Sequence, residues 1–178
     1  SLELILGSMF SGKTSEIIRL HTKYSFLYNT IIINHGSDNR YNKNDVISTH
    51  NNITLEAIKL QRLNDIDKDV YKNAQFMFID ESQFFPDLNE FVLKALDDEK
   101  NVVVVGLNGD CDLKPFMNLM NLIPHANKVT HLTSLCHHCK TPTQGFAHQR
   151  VDKTNKDKVA IGGVSDYVVL CRKHYNQY

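Results

Sequence analysis

One stretch of eight residues near the start of the chain limits the fold more than any other feature. Residues 7–14, Gly-Ser-Met-Phe-Ser-Gly-Lys-Thr, match the pattern G-x-x-x-x-G-K-[ST] in full. They follow the apolar run Leu2–Leu6 and precede Thr14–Tyr28, where apolar and ring side chains recur at near-helical spacing. A strand, a glycine-rich turn and a helix in this order predict a loop that binds phosphate through its backbone N–H groups and the helix N-terminus.

The residue types of this motif match the chemistry of a nucleoside triphosphate. Glycine lets the backbone turn tightly, Lys13 places a positive charge on the β- and γ-phosphates, and the Thr14 hydroxyl is predicted to ligate Mg²⁺. The alternative is a glycine turn that carries an ordinary surface lysine, which the complete motif in this context disfavours. The whole motif is therefore predicted to bind ATP: Gly7, Ser8, Met9, Phe10, Ser11, Gly12, Lys13 and Thr14.

Two acidic residues directly follow a later apolar strand, Phe76–Ile79. Ligands of open α/β sheets bind at the carboxyl ends of the strands, where these acids are expected to lie. Asp80 is predicted to bind ATP through the Mg²⁺ shell, and Glu81 to act as general base for an incoming hydroxyl. Acids at a strand end are also common as solvated turn residues, and the phosphate-binding loop is what favours the functional interpretation.

The remaining periodicity alternates strands with helices. Strands are predicted at Thr30–Ile33, Val102–Leu107 and Lys128–Leu132, and helices at Leu88–Leu96, after the start signal Pro86-Asp87, and at Phe116–Leu122. Residues 35–52 are polar, rich in turn formers and without an apolar period, so we predict a long flexible loop there. The fold class is predicted to be α/β, with a RecA-like, mostly parallel P-loop sheet that occupies residues 1–133.

Two short pairs of metal-binding residues lie in the last part of the chain. Cys136-x-x-Cys139 and Cys171-x-x-His174 supply three thiolates and one imidazole, which fill a tetrahedral Zn²⁺ shell and leave no open position. The metal is therefore predicted to be structural and to stabilise a small C-terminal lobe, residues 134–178. His137 and His138, inside the first pair, are predicted not to be ligands. Two disulfides or scattered free thiols are the alternatives.

Charge and hydropathy exclude several classes of partner. Lys and Arg number 20, as do Asp and Glu, so the formal net charge of the 178 residues is zero and a nucleic-acid partner is not expected. No apolar run approaches the length of a membrane span, and no basic-then-apolar signal segment opens the chain. We therefore expect a cytoplasmic protein that acts on small molecules rather than on membranes or nucleic acids.

At these residues the chain resembles the type II thymidine kinase family, whose members contain zinc and are usually tetrameric. The family's phosphate loop is G-P-M-F-S-G-K-[ST], and Ser8 replaces its proline. The family's acidic segment D-E-[GA]-Q-F-F is similar to residues 80–85. Further similar segments are Ser37–Tyr41, Lys114–Phe116, Ile161–Tyr167 and the two cysteine pairs.

This resemblance implies a function and additional site residues. It implies phosphoryl transfer from ATP to thymidine for nucleotide salvage, feedback inhibition by dTTP, and a homotetramer. It also implies that Glu81 is the catalytic base, that Asp38, Arg40 and Gln83 bind ATP, and that residues 161–167 form a lasso loop over thymine. The implied thymidine-binding residues are Met9, Phe84, Cys111, Phe116, Val159, Ala160, Ile161, Gly162, Gly163 and Tyr167.

Besides Ser8, two residues depart from the family pattern. Cys111 stands where relatives often have an aromatic residue that lines the thymine pocket, and Ser82 stands where they have Gly or Ala. Without the resemblance, the residues indicate only ATP, Mg²⁺, a carboxylate base and a zinc-stabilised lobe. Two other functions then remain open: a RecA-type NTPase in which Glu81 activates water, and a zinc-bearing binding module with a vestigial nucleotide site.

Overall fold

The computed structural model describes residues 1–36, 46–48, 54–151 and 166–177. The strands are β1 (Leu2–Gly7), β2 (Thr30–His35), β3 (Val46–Ser48), β4 (Thr54–Glu56), β5 (Ile58–Leu60), β6 (Phe76–Ile79), β7 (Asn101–Leu107), β8 (Lys128–Leu132), β9 (Ser134–Leu135), β10 (Gln144–Gly145), β11 (Ala147–Arg150) and β12 (Tyr167–Leu170). The α-helices are α1 (Lys13–Ser25), α2 (Lys68–Asn73), α3 (Leu88–Asp97), α4 (Met117–Met120) and α5 (Arg172–Tyr175).

Six of these strands form one sheet in the order β5-β2-β6-β7-β1-β8. Every pairing within it is parallel, which confirms the α/β class predicted from the alternation of strands and helices. Strand β7 lies between β1, which leads into the phosphate-binding motif, and β6, which leads into the acidic pair. Since parallel strands end at the same edge, both motifs and the segment after β7 lie on one side of the sheet.

Alternate side chains of the central strands enter two separate cores. Leu4, Met77 and Val104 pack on one face against α3, whereas Ile5, Phe78 and Val103 pack on the other face against α1. A strand covered on both faces must be apolar at nearly every position. This explains why the central strands carry continuous apolar runs instead of alternating with polar residues, and it holds the site-bearing edge on a rigid base.

The prediction of a long loop over residues 35–52 was wrong in part. His35 is the last residue of β2, and Val46–Ser48 forms β3, which pairs with β4 in an antiparallel hairpin. Strand β5, which extends the main sheet, and helix α2 were also missed. Strands of three residues and a helix of six residues are too short to show a hydrophobic period.

After β8 the pairing changes from parallel to antiparallel. β9 pairs with β10, and β11 pairs with β12, before the short helix α5. The change occurs close to the predicted boundary at residue 134, although the division into residues 1–133 and 134–178 stays a prediction. None of the helices in the described segments has the length and apolar character needed to span a bilayer.

Candidate active site and metal centre

The phosphate-binding motif forms a tight turn directly before α1. Gly12 adopts φ 82° and ψ 17°, a left-handed conformation that favours glycine, and it caps α1 without a side-chain hydrogen bond. The first N–H groups of a 13-residue helix are therefore left without a side-chain cap at the end of the turn. Such a helix terminus carries a partial positive charge and binds anions.

The carbonyl of Ser8 accepts two side-chain hydrogen bonds from residues of the same turn. The Lys13 ammonium donates a hydrogen bond to it at 2.8 Å, and the Ser11 hydroxyl donates to it at 2.9 Å. Ser8 itself is buried. The Lys13 ammonium is thus held against the backbone of the loop in which a phosphate is predicted to bind.

The two predicted Mg²⁺ ligands lie next to each other. Thr14 Oγ1 is 3.5 Å from Asp80 Oδ2, although the two residues are 66 positions apart in sequence. Asp80 is buried, and its other carboxylate oxygen accepts a hydrogen bond from the backbone N–H of Glu81 at 2.9 Å. A hydroxyl and a fixed carboxylate are suitable oxygen ligands for Mg²⁺.

Glu81 occupies an unusual backbone conformation. It has φ 48° and ψ 38°, in the left-handed region that non-glycine residues rarely adopt, and it is buried. Its Oε2 accepts a hydrogen bond from Gln83 Nε2 at 2.6 Å, and Gln83 Oε1 accepts one from the Leu107 N–H at 3.1 Å. Gln83 therefore connects the predicted base to the end of β7 and fixes the direction of its carboxylate.

We expect Gly106→Ala to disturb this connection. A Cβ at Gly106 would lie 2.6 Å from Gln83 Oε1 and 2.7 Å from Ser82 Oγ, so one or both of these side chains must shift, and we expect the hydrogen bond from Gln83 to Glu81 to be disturbed. Overpacking of this kind costs about 1–3 kcal/mol. The expected result is a lower melting temperature together with a lower kcat, measured by thermal unfolding and steady-state turnover.

Gly36→Ala is the matched control for this substitution. Its Cβ would meet mainly the end of the Gln61 side chain, with Nε2 at 2.7 Å, and that end can move without disturbing the site. An equal loss of kcat in both variants would contradict the proposed connection through Gln83.

Three of the predicted thymidine-binding residues come together beside this edge. Met9 and Tyr167 are buried in one cluster with Val169, and Cys111 packs against that cluster. The other two described residues are not members of this cluster: the Phe84 ring is 5.7 Å from the His35 ring, and Phe116 packs against the core that includes α3.

His148 is a buried residue near this cluster that sequence reasoning did not single out. It is 4% exposed, and its ring meets the Tyr167 ring edge-on at 5.8 Å. Burial lowers the pKa of His148 to about 4, with a further contribution from the Lys13 charge, while Asp110 and Glu81 act in the opposite direction. The imidazole is therefore neutral at neutral pH. In the sequence it is a single histidine between the two cysteine pairs, and no motif includes it.

This shift predicts a loss of stability in mild acid. Because the folded pKa of His148 is about 4 and the unfolded value about 6.5, the unfolded chain binds more protons between these pH values. The contribution of His148 to the free energy of unfolding is fully present above about pH 6.5. It is lost as the pH is lowered from there and levels off below about pH 4, with a total loss of at most about 3 kcal/mol. Thermal unfolding of the wild type and His148→Gln across this range measures it, since the variant lacks this component. Parallel curves for the two proteins would contradict the assignment.

Several predicted site residues lie outside the described residues. They are Asp38 and Arg40 of the ATP-binding set and Val159, Ala160, Ile161, Gly162 and Gly163 of the thymidine-binding set.

The two motifs Cys136-x-x-Cys139 and Cys171-x-x-His174 form a compact metal-ligand group. Cys136, Cys139, Cys171 and His174 offer ligand atoms that all lie within 4.8 Å of one another, and neither His137 nor His138 belongs to the group. His174 Nδ1 is 3.4 Å from the sulfurs of Cys136 and Cys171 and 3.5 Å from that of Cys139. The sulfurs of Cys139 and Cys171 are 3.8 Å apart.

These separations fit a tetrahedral zinc ion. Ligand bonds of about 2.3 Å to sulfur and about 2.0–2.1 Å to nitrogen require about 3.8 Å between sulfurs and about 3.5–3.6 Å between sulfur and nitrogen. Burial would raise the pKa of the Cys136 thiol, but hydrogen bonds from the backbone of Cys171 and His138 and from the His174 ring hold it at about 6. A thiol that ionises this readily is suited to metal binding.

Residues next to the metal ligands in sequence are in contact with the phosphate-binding turn. Phe10 of the turn, itself at φ 59°, has its ring 5.9 Å from the ring of His137, which lies inside the first cysteine pair. Ser8 Oγ is 3.4 Å from Ser134 Oγ, and the Tyr175 hydroxyl donates to the Cys111 carbonyl at 2.9 Å. Residues on both sides of the metal-ligand group in sequence therefore contact the turn and the segment after β7.

Comparison with known proteins shows the family to which the chain belongs. A family model described as thymidine kinase matches residues 1–175. A thymidine kinase of Yaba monkey tumor virus is 38% identical over 176 residues, which cover 98% of this chain and 93% of that protein. Thymidine kinases of variola virus and rabbit fibroma virus are each 35% identical over 175 residues, covering 98% of this chain and 96% and 95% of those proteins. This chain belongs to the thymidine kinase family.

Proposed function

We propose that this chain transfers the γ-phosphoryl group of ATP to the 5′-hydroxyl of thymidine. The observation that carries the proposal is the junction of the phosphate-binding turn with the acidic pair, where Thr14 Oγ1 lies 3.5 Å from Asp80 Oδ2 and Glu81 follows directly. The names of the relatives supply thymidine as the acceptor.

Each group of site residues has its own role in phosphoryl transfer, a reaction that depends mainly on positioning and charge stabilisation. The turn and Lys13 bind the β- and γ-phosphates of ATP. Thr14 and Asp80 hold Mg²⁺, which neutralises charge on the phosphates when it is bound. Glu81 takes the proton from the 5′-hydroxyl as it attacks. The Gln83 amide keeps the Glu81 carboxylate directed at that proton.

The acceptor pocket takes the base of the nucleoside. Met9 and Tyr167 provide buried walls, and Cys111 provides a small one. Phe84, Phe116 and the lasso over residues 159–163 complete the pocket in this proposal, and Asp38 and Arg40 assist ATP.

A structural zinc ion is part of the same proposal. Cys136, Cys139, Cys171 and His174 hold it, since their donor set and separations fit a closed tetrahedral site. The metal stabilises residues 134–178 as a lobe that buries too little apolar surface to be stable alone. We also propose that the protein is a cytoplasmic homotetramer, that it serves nucleotide salvage and that dTTP inhibits it.

The release of ADP from ATP and Mg²⁺, measured with and without thymidine, tests the function. We expect release that depends on thymidine, and we expect Lys13→Ala to abolish it without unfolding the protein. Release of equal rate without thymidine would support an NTPase in which Glu81 activates water. No release under either condition would support a binding module.

A further inference from the structure

Two histidines lie inside the first cysteine pair without being members of the metal-ligand group. They are His137 and His138, and their surroundings differ. The His138 ring is 5.7 Å from the ring of the metal ligand His174. The His137 ring is 5.9 Å from the ring of Phe10, which belongs to the phosphate-binding turn. His137 is therefore the histidine of this pair that contacts the nucleotide-binding edge of the sheet.

The His137 side chain is held in place by strand β12. Its backbone N–H donates a hydrogen bond to the Val169 carbonyl at 2.9 Å, and its ring Nδ1 accepts one from the Val169 N–H at 3.1 Å. The Val169 side chain is fully buried in the cluster with Met9 and Tyr167. Exposed side chains normally change rotamer freely, but this one is fixed at both its backbone and its ring. The imidazole therefore offers a fixed surface to the residue that packs on it.

Phe10 is a residue of the turn whose backbone conformation needs support. It has φ 59°, in the left-handed region, which is unfavourable for a residue with a Cβ. Gly12, the other left-handed residue of the turn, has φ 82° and pays no such penalty. Turns of this kind direct successive backbone N–H groups at one anion. The left-handed conformation of Phe10 is therefore part of the phosphate-binding geometry, and tertiary contacts must maintain it.

Two sets of contacts hold the Phe10 side chain. It is half-buried and packs against the cluster of Met9, Tyr167 and Val169. Its ring also meets the His137 ring at an angle of 58°, within the range of tilted geometries that aromatic pairs favour. A backbone that relaxed at residue 10 would swing the ring out of both contacts. The packing of the ring therefore stabilises the left-handed backbone.

We propose that His137 is a positioning residue whose ring, by packing on Phe10, keeps the phosphate-binding turn in the conformation that binds the triphosphate of ATP. The inference rests on the proposed function only in taking this turn to be the ATP site. Without the ring, the turn is competent for a smaller fraction of the time, and the apparent Kd for ATP rises in inverse proportion to that fraction. Saturating ATP restores the competent turn, so kcat is retained.

Three substitutions separate this role from a general effect on the cysteine pair. His137→Asn removes the ring and keeps an acceptor for the Val169 N–H, whereas His137→Phe keeps a ring and removes the acceptor. His138→Asn is the matched control, because it makes the same change one residue along, where the ring lies beside His174 instead. For each protein we measure the Kd for ATP with Mg²⁺ by calorimetry, kcat and both KM values by steady-state assay, and the zinc content by elemental analysis.

For His137→Asn we expect the Kd and KM for ATP to rise about 5- to 50-fold, with kcat at saturating ATP and the KM for thymidine within about twofold of the wild type. His137→Phe should recover most of the affinity, and His138→Asn should match the wild type. Loss of affinity in His137→Phe with retention in His137→Asn would overturn the inference, because the hydrogen bond to β12 rather than the ring would then be what matters. An equal rise in the KM for thymidine would also overturn it.

Phe10→Gly tests the role of the Phe10 conformation directly. Glycine adopts the left-handed conformation without support, so the affinity of this variant for ATP should no longer depend on residue 137. In the Phe10→Gly background we expect His137→Asn to change the Kd for ATP by less than about twofold. The same fold-change in both backgrounds would overturn the inference, also if His137→Asn lowers the zinc content. A wild type that does not bind ATP would refute the proposed function as well, which the wild-type measurement alone reveals.

Discussion

Glu81→Gln is expected to lower kcat by about 10²- to 10⁴-fold, the usual effect of losing a general base. The amide has nearly the same shape as the carboxylate but cannot take the proton of the attacking hydroxyl. It can still accept the hydrogen bond that Gln83 Nε2 donates to Glu81 Oε2 at 2.6 Å. The fold and the KM for ATP should therefore be retained. Steady-state turnover and thermal unfolding of the purified variant measure both.

The chain offers a closely matched control for this experiment. Glu99 also has a left-handed backbone conformation, with φ 56° compared with 48° for Glu81, but it is exposed after the end of α3. Glu99→Gln makes the same chemical change in the same conformation away from the site, and we expect unchanged kcat. Near wild-type turnover in Glu81→Gln would contradict the assignment of the base.

Cys171→Ser is expected to remove the bound metal and with it the structure of the C-terminal lobe. Structural zinc sites contribute about 10–16 kcal/mol of apparent binding free energy, which is comparable to the whole stability of a typical domain. The loss should reach the phosphate-binding turn, because Phe10 packs on His137 and Ser8 lies beside Ser134. We therefore expect about one zinc per chain in the wild type, nearly none in the variant, and a loss of turnover.

Cys111→Ser separates loss of the metal from loss of any cysteine. Cys111 lies outside the metal-ligand group, so this variant should keep its zinc and its melting temperature. Elemental analysis and thermal unfolding of the two variants provide the comparison. A zinc-free preparation of the wild type with full activity would contradict a structural role for the metal.

The parts of the fold that were predictable from sequence are those with long apolar runs or fixed chemical spacing. Strands β1, β6 and β7 are apolar at nearly every position because both faces are covered, and the structure confirms them. The cysteine pairs predicted a ligand group because tetrahedral geometry fixes residue types and spacing, and the structure brings the four residues together.

The features that could not be predicted depend on tertiary contacts. Strand β5 is three residues long and is a strand only because β2 lies beside it. The bridge from Glu81 through Gln83 to Leu107 joins two strands that no local pattern relates. The importance of His148 arises from its burial against Tyr167, and a single histidine in an alternating segment has no property that indicates this.

Catalysis and stability favour different residues at position 81, because Glu81 has a left-handed backbone conformation. A non-glycine residue held there costs of order 1–3 kcal/mol, which the surrounding fold must offset. Glycine would relieve the strain and remove the carboxylate. A selection for thermal stability alone would therefore favour glycine at residue 81, whereas a selection for turnover would retain the strained acid. Natural sequences under both pressures must find their stability elsewhere, in the two cores and around the metal-ligand group.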